Sequence, residues 1–275
     1  MTAVSEVQID ALQAFDTLAG TYDDLFTHSM IGRAQRDAVW NLLGTLFEPG
    51  ARVLELNCGT GEDALFLARQ DVAVIACDGS AGMIDRARMR LRREDPEAPI
   101  HFLVLPTERL SRLRPRRRFD GVLSNFSGLN CVANLDEAAL ELARLVSPRA
   151  PLVLCLSTRF CVTEMLWFLF RGKLRKAFRR TTGRATTNIG TFQVNVYYPT
   201  VRELKRVFSP WFRLRSCKGI GVLVPPSYLE KIVCRWPRLL ACLRAMDERI
   251  AHWPVLRVLG DHMLLHFERV EGPCL

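Results

Sequence analysis

Val53-Leu54-Glu55-Leu56-Asn57-Cys58-Gly59-Thr60-Gly61-Glu62-Asp63-Ala64 decides the reading of this chain. The apolar run from Ala51 to Leu56 has the length and composition of a buried strand. Gly59 and Gly61 make a turn, and Glu62 to Arg69 reads as the helix that the turn opens. A second apolar run, Val72 to Cys77, ends in Asp78. Strand, glycine turn, helix, strand and acid form the front half of a nucleotide-binding βαβ unit. The charge around the turn narrows the choice of ligand. Glu55 stands before it, and Glu62 and Asp63 begin the helix after it. A pyrophosphate is drawn to bare backbone N–H groups and the positive end of a helix. Three carboxylates at that place favour a ligand that is cationic at this end.

S-adenosylmethionine (SAM), with its sulfonium, ammonium and adenosine, is such a ligand. Asp78 lies 23 positions beyond Glu55, close to the spacing of roughly 20 at which an acid meets ribose hydroxyls. Gly59 to Ala64 also fits G-x-G-x-x-A, so on this motif alone a nicotinamide or flavin nucleotide stays formally open.

Outward from the turn, strands and helices alternate. Strand 72–77 leads to helix 80–93, then come strand 100–105, strand 119–125, helix 135–145 and strand 151–157. Such alternation implies a parallel sheet covered by helices on both faces, with ligands outside the carboxyl ends of its strands. Ahead of the turn, residues 5–47 carry helical apolar stripes. Beyond 157 the pattern changes to an apolar segment at 161–170, a basic run, and a polar stretch at 185–191. A strand at 192–198 and a helix at 200–208 follow. Thr200 and Glu203 predict a capping box there. A strand at 212–218, helices over about 228–251 and a strand at 262–270 end the chain.

The motif at 53–64, with Asp78 and Phe119-Asp120-Gly121-Val122-Leu123-Ser124-Asn125-Phe126 after it, resembles the class I SAM-dependent methyltransferases, in particular the branch acting on small molecules. The resemblance covers roughly 15–157 strongly and 192–270 more loosely. It implies an α/β fold, a doubly wound seven-stranded mostly parallel sheet (last strand antiparallel) with helical cap insertions. A helical cap over 1–50 is expected ahead of a core at 51–275, with substrate-side insertions at about 158–191 and 219–260. The family's usual glycine is replaced by Asn57, a residue that tolerates positive φ better than most.

By this resemblance SAM is the cofactor, and a set of residues is expected around it. Glu55 would face the ammonium, directly or through water, and Asp78 the ribose. Asn57, Cys58, Gly59 and Gly61 would form the turn. Met83 would cover the adenine, and Thr107 or Glu108 would read its amine. Asn125 and Phe126, at the end of the fourth strand, would lie under the sulfonium near the acceptor. Tyr22, in Gly20-Thr21-Tyr22-Asp23-Asp24, would close over the cofactor. Methyl transfer needs alignment in a dry site and, for an oxygen or nitrogen acceptor, loss of a proton. His28 is the first candidate for that base, with His262, Tyr197 and Tyr198 behind it, and Asn125 is placed to bind the acceptor. No metal is expected, since Asn125, Asn130 and Asn134 alone are poor Mg²⁺ ligands.

The chain has 275 residues, 49% hydrophobic content and a net charge of +9. Lysine occurs at five positions only, so 33 of 38 basic residues are arginine. Nine cysteines lie scattered without Cys-x-x-Cys or zinc spacing, which suits reduced thiols and a cytoplasmic setting. Neither a signal peptide nor a transmembrane run is evident. The apolar 161–170 segment suggests a hydrophobic or aromatic small-molecule acceptor, with O-methylation the favoured outcome. The basic cluster at 171–184 is suited to an acidic carrier protein or an anionic membrane surface. An RNA methyltransferase is the alternative enzyme; no appended RNA-binding module supports it, nor any interleaved basic and aromatic pattern outside the 158–191 insertion. A non-catalytic partner-binding protein of the same fold is the alternative outside enzymes.

Overall fold

The computed structural model describes residues 6–271. Seven strands form one sheet: β1 (Arg52–Leu56), β2 (Ala73–Asp78), β3 (Ile100–Val104), β4 (Gly121–Ser124), β5 (Pro151–Ser157), β8 (Phe212–Ile220) and β9 (His262–Arg269). Their order is β3-β2-β1-β4-β5-β9-β8. All neighbours pair in parallel except around β9, which runs antiparallel to both β5 and β8. The remaining strands, β6 (Arg184–Ile189) and β7 (Phe192–Tyr197), form a separate antiparallel hairpin. The polar stretch at 185–191 is therefore mostly a strand. Its alternating exposure leaves it no apolar run to read.

Side-chain alternation divides the core between the two faces of the sheet. Leu54 and Leu56 join Val122, Leu152 and Leu154 on one face. Val53 joins Val74, Leu123 and Val153 on the other, under helices α2 (Met30–Leu46), α3 (Glu62–Ala68) and α4 (Ala81–Glu94). Helix α2 contributes Val39 and Leu43 to that cluster. The helical region ahead of the sheet thus divides: α2 covers the core, while α1 (Glu6–Leu18) crosses toward the carboxyl ends of the strands and lies against β7. Helix α5 (Leu135–Leu145) covers the first face with α8 (Val201–Phe208), whose Thr200–Glu203 capping box is fully formed.

Two short helices, α6 (Val162–Phe170) and α7 (Leu174–Ala177), follow β5. Two more, α9 (Glu230–Val233) and α10 (Pro237–Ile250), follow β8. No helix among the described residues is long and apolar enough to cross a membrane.

Candidate functional site

The parallel register sets the site. Leu56 lies opposite both Cys77 and Ser124, so β1 and β4 end level and β2 runs one residue further, to Asp78. Asn57 and Asn125 follow directly, at the point where strand order reverses about β1, the usual place for a ligand in a doubly wound sheet. A cavity of about 260 Å³ opens there. Its floor is the turn from Asn57 to Thr60 with Asp78 and Gly79. One wall is Met83, Pro106, Thr107 and Glu108. The other is Asn125 to Gly128 with Arg36. Ala11, Leu12, Phe15 and Tyr22 cover it from the N-terminal side.

The turn departs from ordinary backbone at three residues. Asn57, Gly59 and Gly61 have φ of +53°, +53° and +79°. Asn57 therefore adopts the left-handed conformation that the family's glycine would take. Its Oδ1 accepts from Ser124 Oγ at 3.3 Å and from Thr107 Oγ1 at 3.4 Å, which ties the ends of β1 and β4 and the start of the 107–112 turn together. The glycines differ in purpose. A Cβ on Gly59 would meet only Tyr22 Cε1, at 3.9 Å, so that surface is open to a ligand. A Cβ on Gly61 would strike Phe102 Cζ at 2.9 Å and Ala87 Cβ at 3.0 Å, so Gly61 serves helix packing.

Asp78 ends β2 with Oδ2 accepting from Gly59 N–H at 2.9 Å and Oδ1 from Ser80 N–H at 2.8 Å. Burial raises its pKa, with the two N–H donors opposing. Above it, Asp16 of α1 accepts from Ser80 Oγ at 2.5 Å and from Gly82 N–H at 2.8 Å, fastening α1 over this corner. Tyr22 is fastened by its neighbour. Asp23 accepts from Thr60 Oγ1 at 2.6 Å and pairs with Arg90 at 2.7 Å. Burial pushes the Tyr22 phenol up to about 12, so it stays protonated at neutral pH.

The carboxylates that set the sign of the turn are largely answered by arginines. Glu62 pairs with Arg33 at 2.9 Å and with Arg90. Asp63 pairs with Arg36 at 2.5 Å and accepts from Trp40 Nε1 at 2.6 Å. Arg36 is 3% exposed, lies 4.9 Å from the centroid of the Phe126 ring, lines the cavity, and leaves its Nε without a hydrogen-bond partner. It was not singled out in the sequence. The signal available was its register with Val39 and Leu43 on the buried stripe of α2.

Several expected residues meet in the cavity: Tyr22, Asn57, Cys58, Gly59, Asp78, Met83, Thr107, Glu108, Asn125 and Phe126 all line it. Others stand differently. Glu55 alternates onto the Val53 face, 1% exposed beneath the turn, and does not line the cavity. Its Oε2 has no hydrogen-bond partner, and burial followed by repulsion from Asp63 raises its pKa well above the carboxylate range. A direct contact with a ligand ammonium is corrected on that ground.

Asn125 is corrected in role. Its Nδ2 donates to Asp63 at 3.0 Å and its Oδ1 accepts from Phe126 N–H at 2.9 Å, so its amide is committed to the protein. It shapes the wall at Phe126 and Ser127, whose φ values are +44° and +69°. A bulky residue in that region is strained and marks a functional turn. His28 is corrected as a base. A wide turn over Asp23–Thr27, closed by His28 N–H to the Asp23 carbonyl at 2.7 Å, leaves its ring half-exposed, 3.7 Å from Asp24 and off the cavity. Tyr197, Tyr198 and His262 do not line it either. His262 instead backs the Phe126 ring edge-on at 5.5 Å, its pKa lowered by burial against the opposing Asp261.

SAM fits this site on the structure's own terms. The turn offers open backbone above Gly59, a carboxylate at the end of β2, and the Arg36 guanidinium among the lining residues. Residues 53–149 match the family model described as a methyltransferase domain. The demethylmenaquinone methyltransferase of Clavibacter sepedonicus is 31% identical over 150 residues, 54% of this chain and 57% of that protein. The chain thus spans less than two thirds of that curated relative's length. Among solved structures, 1,6-didemethyltoxoflavin-N1-methyltransferase of Burkholderia thailandensis, with bound S-adenosylhomocysteine, has a TM-score of 0.61 at 14% identity over 98% of this chain and 92% of its own. The 4+2 cyclase SpnF has a TM-score of 0.62 at 15% identity over 98% of both chains. Both likenesses are of fold.

Proposed function

We propose a reaction for a chain that belongs, by its matched domain and its fold, to the class I SAM-dependent methyltransferases: transfer of the SAM methyl group to a small, apolar, hydroxylated ring of the phenol or quinol class. The observation that supports this reading is the apolar part of the cavity lining, to which Phe15, Phe126, Val132 and Val196 contribute. The relative from Clavibacter sepedonicus is named for a quinone, demethylmenaquinone.

SAM, when bound, supplies an electrophilic methyl on a sulfonium. The chain's own residues then act by binding and placement. Asp78, held by Gly59 and Ser80, accepts from the ribose hydroxyls. Arg36 would turn its guanidinium toward the carboxylate of the methionine part, with Asp63 holding it in place. Met83 covers the adenine. Tyr22 and Phe126, both in the cavity lining, would help to keep water from the reacting methyl while the acceptor is held for attack. None of the candidate histidines lines the cavity, and Tyr22 holds its proton. An acceptor that ionises on its own, as a hydroxylated quinol does more readily than an aliphatic alcohol, is therefore the class that suits the site. Oxygen is the proposed acceptor atom.

The test is release of S-adenosylhomocysteine from SAM in the presence of a panel of hydroxynaphthalenes and reduced naphthoquinones, with the product's proton spectrum distinguishing O-methyl from ring C-methyl. Asp78→Ala should abolish turnover and weaken S-adenosylhomocysteine binding by roughly ten- to a hundredfold, the scale of hydrogen bonds to a charged group. Tight binding of the cofactor product with no methylated ring from any of these acceptors would turn the reading toward other chemistry on the same fold. The cyclase among the fold neighbours keeps that outcome concrete.

A further inference from the structure

A helix on an ordinary protein surface buries its apolar side and shows its charges to water. The cap made by α6 and α7 is built the other way round. Glu164, on the inner side of α6, is 1% exposed. Its carboxylate accepts two hydrogen bonds from Arg179, both at 2.9 Å, and two from Arg180, at 3.1 and 2.6 Å. The Tyr228 hydroxyl adds another at 3.0 Å, and Arg180 reaches on to Asp261 at 3.0 Å. The side turned to the protein thus carries a paired ionic cluster beside buried Cys161 and Ala177.

The side turned to solvent is apolar. Leu166, Phe170, Leu174 and Phe178 are 60%, 90%, 62% and 45% exposed, and Phe170 is the most exposed large hydrophobic side chain among the described residues. Tyr228, which also bonds Glu164, stacks on Phe168 at 6.3 Å, and Ile232 of α9 and Trp236 just before α10 are exposed as well. Exposed large apolar side chains gathered on two packed helices in this way mark an interaction site.

Cations are interleaved with it. No Asp or Glu occurs between Glu164 and Glu203. Arg179 and Arg180 are engaged by Glu164. Arg171, Lys173, Arg175, Lys176 and Arg184 make no ion pair with a carboxylate among the described residues. Arg171 and Lys176 lie instead against the Trp167 and Phe168 rings, at 4.4 and 6.0 Å from their centroids.

We propose that this inside-out cap docks the protein on an anionic phospholipid bilayer. Phe170, Leu174 and their neighbours enter the boundary between headgroups and acyl chains, and Lys173, Arg175 and Lys176 rest on the phosphates. The layering of a bilayer interface matches a surface in which apolar tips and cations alternate every residue or two. A second copy of the chain matches it poorly, because a two-fold contact would set the same uncompensated cations against one another. An acidic protein would answer the cations and leave the interleaved phenylalanine and leucines to find an apolar groove between its carboxylates.

Co-sedimentation with vesicles tests this without cofactor or acceptor, and so independently of the proposed methyl transfer. The full chain is mixed with vesicles of phosphatidylcholine alone or of phosphatidylcholine with phosphatidylglycerol. Binding to the second and little to the first is expected, falling as salt rises. Replacing Lys173, Arg175 and Lys176 with glutamine should weaken it roughly a hundredfold, at about fivefold per cation. The double variant Phe170→Ser with Leu174→Ser, at unchanged charge, should weaken it by roughly ten- to a hundredfold. All five positions are exposed, so both variants should keep the wild-type melting temperature and affinity for S-adenosylhomocysteine. Wild-type protein that ignores anionic vesicles overturns the proposal and leaves an acidic protein for this face. Wild-type protein that self-associates through Phe170 and Leu174 overturns it in favour of a dimer.

Discussion

The turn at 57–63 and the cap at 161–184 use the same device to opposite ends. At the turn, Glu62 and Asp63 are buried against Arg33, Arg90 and Arg36, and the pairs pin the N-terminal helices onto the site. In the cap, Glu164 is buried against Arg179 and Arg180, and the pairs hold α6 and α7 by their polar side, which leaves leucines and phenylalanines outward. In one region the network draws the walls of a cavity together; in the other it leaves apolar side chains outward. The lesson is that a carboxylate in a sequence states a sign and not a field. What the field becomes depends on which arginines, tens of residues away, the fold delivers to it.

The sharpest way to break this comparison is to remove the anion at the centre of the cap. Glu164→Ala leaves Arg180 buried with only Asp261 to answer it, and loss of one partner from a buried pair typically costs ~3–5 kcal/mol. Urea denaturation should show that loss with little change in slope. Burial opposes ionisation of Glu164, yet Arg179 and Arg180 hold its carboxyl below the usual range. A group whose folded pKa is lowered contributes stability above its unfolded pKa, near 4.3, and loses it as pH falls through the folded value. The wild-type advantage over Glu164→Gln should therefore shrink on acidification below about 4.3. A denaturation midpoint for Glu164→Ala equal to wild type would show that the cap does not hang on this network.

How much of this was legible in the sequence follows from how local each signal is. The strands at 52–56 and 151–157, the helix at 135–145 and the Thr200–Glu203 capping box all stand as read, because apolar runs and caps are written in neighbouring residues. Asn57 is found at positive φ, as its type permits. The cavity-lining residues from Asn57 to Phe126 follow from strand ends that the parallel register brings together. Three features were not legible. Glu55 pointed under the floor because alternation puts it with Val53, a fact that matters only once α2 covers that face. Asn125 was committed to Asp63, 62 residues earlier. Arg36 looked like one arginine among 33, and only its place on the buried stripe of α2 set it apart.

Arg36 gives the next largest effect, on binding. The proposed bond from its guanidinium to the methionine carboxylate would be charge-assisted, a class that contributes about 1.5–3 kcal/mol. Arg36→Lys keeps a cation near Asp63 but loses the planar fork. Titration calorimetry should show S-adenosylhomocysteine bound roughly ten- to a hundredfold more weakly. Binding of 5′-methylthioadenosine, which lacks the amino-acid part, should hardly change. Equal losses for both ligands would mean that Arg36 merely supports the wall through Asp63 and Phe126.

Glu55 sharpens the comparison at its smallest scale, since it is the one carboxylate of the turn given no arginine. Its folded pKa is raised, first by burial and then by Asp63. The sign is therefore opposite to that of Glu164. The folded state holds the proton longer than the unfolded chain does, so this group withdraws stability as pH rises from the unfolded pKa near 4.3 toward its folded value. Glu55→Gln keeps the shape and removes the ionisation. Below about pH 4.3 the variant and wild type should be equally stable. Above it the variant should gain steadily, at about 1.4 kcal/mol for each unit of displacement, until the folded pKa is passed. Parallel pH–stability curves for Glu55→Gln and wild type would mean that the carboxylate is answered after all, by Arg36 through the shared Asp63 network, and that the turn and the cap follow one rule without exception.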